Sequence, residues 1–122
     1  MCRSIDHIAE PKKVMSKIAD ALADDAICYV DHCDWLLAAR TEGFTSSLHI
    51  DHPSNFTRES FNRLLEQVDL RPVLEYRPPD SSCYGYVLEK GHHKYSLTEQ
   101  VDIFSEVRHL QAKERTCQPS AY

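Results

Sequence analysis

Histidine, cysteine and acidic side chains gather in two short stretches of this chain, His32-Cys33-Asp34 and His49-Ile50-Asp51-His52. Neutral imidazole, thiolate and carboxylate all ligate zinc, so both stretches offer ligands to one site if the loops that carry them converge. Histidine-bearing loops also occur with no metal, their rings facing water, and the spacing here does not choose between the two. Nor does it exclude that Asp51 simply caps a turn before Pro53 and that His52 is a surface imidazole. A thiol nucleophile needs a base within reach and a third group to orient that base. Cys33 has His32 only as a sequence neighbour, so cysteine catalysis is not expected. His92-His93, beside Gly91, reads as the exit of a turn.

The elements that must position these residues follow from hydrophobic spacing. Phe61, Leu64, Leu65 and Val68 recur at i, i+3, i+4 and i+7, giving a helix with a core stripe and with Arg58, Asn62 and Glu66 on its wet side. Thr57 is the N-cap, and Phe56 and Phe61 occupy the two ends of a hydrophobic staple. Asp51-His52 therefore lies on the connection that feeds a helix start. Pro11 in a first turn, then Val14, Ile18 and Leu22, predicts a helix over 11–23, ended by Asp24-Asp25. Residues 26–31 read as an interior strand and 34–39 as a helical turn. The long connection 40–55 carries His49 and Asn55, and loops of that length are usually functional or mobile. Strands over 72–76 and 83–90 are separated by Arg77-Pro78-Pro79-Asp80-Ser81-Ser82, short enough to make them an antiparallel hairpin. Ser96 and Glu99 satisfy a capping box, and Val101, Ile103, Phe104, Val107 and Leu110 predict an amphipathic helix ending near Arg115, with 116–122 a frayed tail.

Residues 48–76, LHIDHPSNFTRESFNRLLEQVDLRPVLEY, resemble the C-terminal half of class I S-adenosylmethionine-dependent methyltransferases, especially the sugar C-methyltransferase-like group. There a Glu-His pair precedes an aromatic-Phe-Ser/Thr segment and a helix of the S-x-x-x-L-L type. Ser4-Ile5-Asp6-His7-Ile8-Ala9-Glu10-Pro11 is similar to the element that follows the family's fourth strand, and 26–34 to its fifth strand and the Val-Pro-x-x-Asp-Trp loop behind it. The likeness spans most of the first 90 residues. It implies a single α/β domain over 1–122, partially Rossmann-like, with a short mixed sheet, an antiparallel hairpin and flanking helices. The chain would start inside strand four, leaving an exposed edge that the C-terminal helix or a second copy must cover.

The same resemblance implies roles. Asp51, standing where the family has Glu, would orient His52 as a base that takes a proton from an acceptor carbon or hydroxyl. Trp35 would line the acceptor pocket, although a Trp beside Leu36-Leu37 also reads as core. His49, which has no counterpart in the family, and Asn55 are assigned to the pocket beside the dyad. The family's cofactor loop is glycine-rich and lies upstream of anything here, while Gly43, Gly85 and Gly91 are the only glycines and stand far apart. No cofactor and no metal are expected on the isolated chain. The expected function is the acceptor-side half of a C- or O-methyltransferase, inactive alone. A non-catalytic module that self-associates or binds a ligand, and a small metal-dependent enzyme using His49, Asp51 and His52, remain as alternatives.

Composition bounds the partners. An apolar fraction of 42% and a charged fraction of 27% are those of a globular protein, and no apolar run approaches the ~20 residues of a membrane span. The polar start MCRSIDHIAEPKK is no secretory signal, so a cytoplasmic location is expected. There the five cysteines are expected as free thiols, with Cys28 and Cys83 serving as small buried hydrophobes. A net charge of -5 with scattered Lys and Arg argues against nucleic acid. Half of a doubly wound sheet leaves apolar faces open, which predicts a homodimer or a cofactor-binding partner half.

Overall fold

The computed structural model describes residues 4–94 and 102–117. A 3-10 turn, Ile5–His7, leads into α1 (Pro11–Ala21), β1 (Ile27–Cys33), α2 (Trp35–Glu42), α3 (Phe44–Ser47), α4 (Arg58–Gln67), β2 (Leu70–Tyr76), β3 (Cys83–Lys90) and α5 (Ile103–Cys117). The three strands form one sheet in the order β1-β3-β2. β3 is antiparallel to both neighbours, so β1 and β2 share a direction without pairing. This corrects the expected mixed sheet to an antiparallel one: the hairpin folds β3 back between the two strands that would have met in parallel.

Side-chain alternation splits the sheet into two faces. Val30, His32, Tyr86 and Leu88 face inward and pack with Met15 and Ala19 of α1 and Phe61, Leu64 and Leu65 of α4 into the main core. Ile27, Tyr29, Leu74 and Tyr76 remain exposed. Among the described residues no strand stands where the first one was expected near the N-terminus: residues 5–7 close a 3-10 turn through His7 N to Ser4 O and Ile8 N to Ile5 O, and that turn lies against β1 with Ile5 and Asp6 buried.

Local capping explains the element starts. Thr57 accepts from Ser60 N, and Ser60 Oγ accepts from Thr57 N, a reciprocal capping box, while the Phe56 and Phe61 rings meet edge to face at 5.5 Å. Asn62, expected in water, is 1% exposed; its amide donates to Arg58 O and to the Tyr86 hydroxyl, which makes burial of a polar group tolerable. Arg58 forms a two-pronged ion pair with Glu75 on the inner side of β2.

Two further expectations need correction. Cys33 and Cys83 face each other across β1 and β3 with Cα atoms 4.0 Å apart and are disulfide-bonded, so they are neither free thiols nor buried hydrophobes. Cys28 remains a free, half-buried thiol on the core side, with burial pushing its pKa up. In α5, Leu110 packs against Leu36 and Ala39, but Phe104 is 80% exposed. Arg40 to Glu106 and Thr45 to Glu114 tie α5 to α2 and α3, so it does not lie along a sheet edge. The helix continues to Cys117, past the point where the tail was expected, and Ser96, Glu99 and Val101 fall outside the described residues. Among the described residues no helix is long and apolar enough to cross a membrane.

Candidate functional site

A cleft of about 380 Å³ opens where β1 ends and β3 begins. This is the end of the sheet where β1 and β2 finish and β3 starts. Its floor and one wall are Cys33, Trp35 and Cys83; Asp80, Ser81 and Ser82 of the hairpin turn form a polar rim. The opposite wall comes from the N-terminal turn and the 48–55 connection, with Asp6, His7, His49, His52 and Asn55. Trp35, His49, His52 and Asn55 thus share one cleft, while Asp51 stands just behind it against His7.

Two hydrogen bonds hold the connection in place. Ser54 donates from its backbone N to Asp6 O at 3.2 Å and from its hydroxyl to Ile8 O at 2.8 Å, bracketing His7. The turn itself is closed by His52 N to His49 O at 3.1 Å. His7 and His52 meet ring edge to ring face at 4.5 Å, and the His49 and His52 rings are 4.8 Å apart. His7 Nδ1 lies 3.1 Å from Asp51 O and 3.8 Å from Asp51 Oδ2. With its proton on Nδ1, His7 donates to that carbonyl and keeps its lone pair on Nε2. The Asp51 carboxylate, expected to orient His52, thus has the His7 ring beside it as well, in ion-pair range when that ring is protonated.

Asp6 is a site residue that the sequence reading did not single out. Its carboxylate is buried at the cleft and accepts from Cys33 N at 3.4 Å. Burial raises its pKa, opposed by the Cys33 hydrogen bond and by the nearby imidazoles of His32, His52 and His7. A buried, perturbed carboxylate among histidines in a cleft has the profile of a functional group. Its sequence signal was the Asp6-His7 pair ahead of the Pro11 helix start.

The stretch His32-Cys33-Asp34 does not join the cluster. His32 is 1% exposed within a box of Phe61, Phe56, Tyr84 and Tyr86 rings at 4.4 to 6.0 Å, and neither ring nitrogen has a hydrogen-bond partner. Burial pushes its pKa down, opposed by the Cys33 backbone and by Asp6, Asp34 and Glu75. Asp34 is consumed structurally: Oδ1 accepts from Leu37 N at 3.0 Å and Oδ2 from Arg58 N at 2.9 Å, so one carboxylate caps the N-termini of α2 and α4.

The glycines do not fit an S-adenosylmethionine cradle. A Cβ on Gly43 would meet Glu114 Oε1 at 2.9 Å, on Gly85 the Tyr29 hydroxyl at 2.6 Å, and on Gly91 Arg71 at 3.1 Å. Each bare Cα is thus approached by one of the protein's own side chains rather than opened toward the cleft. Compared with known proteins, the chain matches no family model, no curated protein and no solved structure.

Proposed function

We propose that this chain is the acceptor-side half of a methyltransferase-like protein, holding a small hydroxylated acceptor in the cleft while the cofactor loop is supplied by sequence or a partner outside it. The observation that carries this reading is the gathering of Trp35, His49, His52 and Asn55 with Asp6 and His7 around one cleft. A single Trp face beside carboxylate, amide, hydroxyl and imidazole groups suits a polyhydroxylated ring, which stacks through its C–H face and hydrogen-bonds at its edge. His52 would take the proton from an acceptor hydroxyl or acidic C–H, with the carboxylate of Asp6 stabilising the imidazolium that results. Ile27, Leu74 and Tyr76, each more than half exposed on the outer face of the sheet, offer apolar surface that a partner carrying the cofactor loop would cover.

The test is binding, read by NMR chemical-shift mapping with hexoses and their nucleotide diphosphate conjugates as probes. Saturable shifts centred on Trp35, His49, His52 and Asn55, weakened about tenfold by Trp35→Ala, are expected. Isothermal titration with S-adenosylmethionine is expected to give no heat. Low-micromolar binding of the cofactor by the isolated chain, or acceptor shifts that map away from the cleft, would overturn the proposal.

A further inference from the structure

The side chains of His7, Asp51 and His52 form a cluster that keeps Asp51 and His52 of the set the sequence suggested and puts His7 in the place of His49. One ligand atom from each lies within 4.8 Å of the others. A tetrahedral zinc ion holds nitrogen and oxygen ligands at ~2.0–2.2 Å, which places them roughly 3.4 Å from one another. The cluster must contract by little more than an ångström, and the residues that do so sit on a turn and a loop rather than in a packed helix. His7 and Asp51 are exposed and His52 partly so, which leaves their side chains free to adjust.

Three independent features suit a cation. The contact of His7 Nδ1 with Asp51 O holds the imidazole against the turn that carries the other two ligands, as outer hydrogen bonds hold ligating histidines. The two Ser54 bonds hold the backbone on either side of His7 against the loop, so that the backbone carrying the ligands is ordered before an ion arrives. Asp6 supplies a further negative charge near both imidazoles, and the cleft beside them leaves a coordination position open to water or ligand.

We propose that His7, Asp51 and His52 form a binding site for a borderline divalent cation, zinc foremost, with an open position facing the cleft. Two imidazoles and one carboxylate are a donor set that zinc accepts readily, and it excludes the hard cations that need an all-oxygen shell. The inference does not rest on the acceptor reading: a bound ion takes the lone pair that His52 uses there as a base, so the two exclude each other at that ring, and the metal alone is the probe.

The experiment uses the full chain with its disulfide intact. Cobalt(II) titration followed by visible absorption reports tetrahedral nitrogen and oxygen ligation, and competition with zinc gives the affinity. One equivalent is expected to bind in the micromolar range or tighter, and His7→Ala, Asp51→Asn and His52→Ala are each expected to weaken binding at least tenfold. His92→Ala, whose imidazole pairs with Asp69, is expected to leave it unchanged. Zinc is also expected to raise the Tm of the unmutated chain and a chelator to reverse the rise, a readout that needs no variant. No saturable binding, binding that survives all three substitutions, or a sulfur-to-cobalt charge-transfer band showing thiolate ligation would overturn the proposal.

Discussion

His32-Cys33-Asp34 and His49-Ile50-Asp51-His52 contain the same chemical groups, and the fold uses them in opposite ways. The first stretch ends a strand, where successive side chains leave from opposite faces. His32 turns into a box of aromatic rings, Cys33 turns out to meet Cys83, and Asp34 turns back in to hold two helix N-termini. The second stretch is a turn, closed by His52 N to His49 O, and a turn gathers what a strand separates. His49 and His52 come within ring contact, and His7 joins them from a distant part of the chain. Backbone geometry, more than residue type, therefore decides which of the two can do chemistry at one point in space.

The sharpest way to break the comparison is to remove Asp34. Each N-cap bond is worth about 1 kcal/mol, and losing this carboxylate leaves two part-buried amides without their acceptor at once. Asp34→Ala is expected to destabilise the fold by about 2–3 kcal/mol in urea unfolding, and Asp34→Asn by roughly half of that, since the amide can still accept from one helix but presents a donor to the other. A cost below about 1 kcal/mol for Ala would mean that α2 and α4 find other caps and that Asp34 is not structural.

How far these roles were legible depends on whether the signal was local. Thr57, the Phe56–Phe61 staple and the stripe Phe61, Leu64, Leu65 and Val68 are settled within one helix, and the structure reproduces all of them. Asn62 was misplaced because its burial depends on the Tyr86 hydroxyl, supplied by a strand 24 residues away. The Cys33–Cys83 pair needed the β1–β3 register across a separation of 50 residues, which no turn signal carries. The sheet direction failed for the same reason: the hairpin was readable, but not the insertion of its second strand beside β1. At the site, only Gly43 and 48–55 of the expected 40–55 connection are loop, because α2 runs on to Glu42 and Phe44–Ser47 form α3, and the approach of Asp6 and His7 to 48–55 depends on Ser54 bonding across the chain.

His32 offers a smaller, pH-dependent test. Its folded pKa is depressed by burial, so the unfolded chain takes up the proton first as pH falls below about 6.5. The contribution of neutral His32 to stability is therefore present above that value and lost as pH drops toward the depressed folded pKa. Asp6, Asp34 and Glu75 face the ring and limit the shift. Asp6 itself acts with the opposite sign: its raised pKa costs stability above the ordinary carboxylate value, and that cost fades as pH falls. His32→Phe is expected to flatten the decline in stability as pH falls below about 6.5, by no more than the ~1.4 kcal/mol per pH unit that one proton allows. The slope is the readout, because the larger ring brings its own packing cost. A decline unchanged by the substitution would assign the pH response to other groups.

The smallest expected effect completes the contrast. His7 and His52 line the wall of the cleft with Asp51 just behind them, and Asp51 and His7 keep much of their surface in water. Exposed ion pairs contribute little to stability, and surface substitutions away from caps and cores rarely exceed about 0.5 kcal/mol. His52→Ala and Asp51→Asn are each expected to shift the unfolding free energy by no more than about 0.5 kcal/mol, against the several-fold larger loss at Asp34. The turn around them is held by backbone contacts and by Ser54, neither of which these substitutions touch. A loss above about 1.5 kcal/mol for His52→Ala would show that its packing against His7 and His49 supports the fold, and the cleft wall would then be structure of the same kind as the aromatic box. Near-neutral stability leaves these side chains with no folding role to explain their convergence, and directs attention to what binds between them.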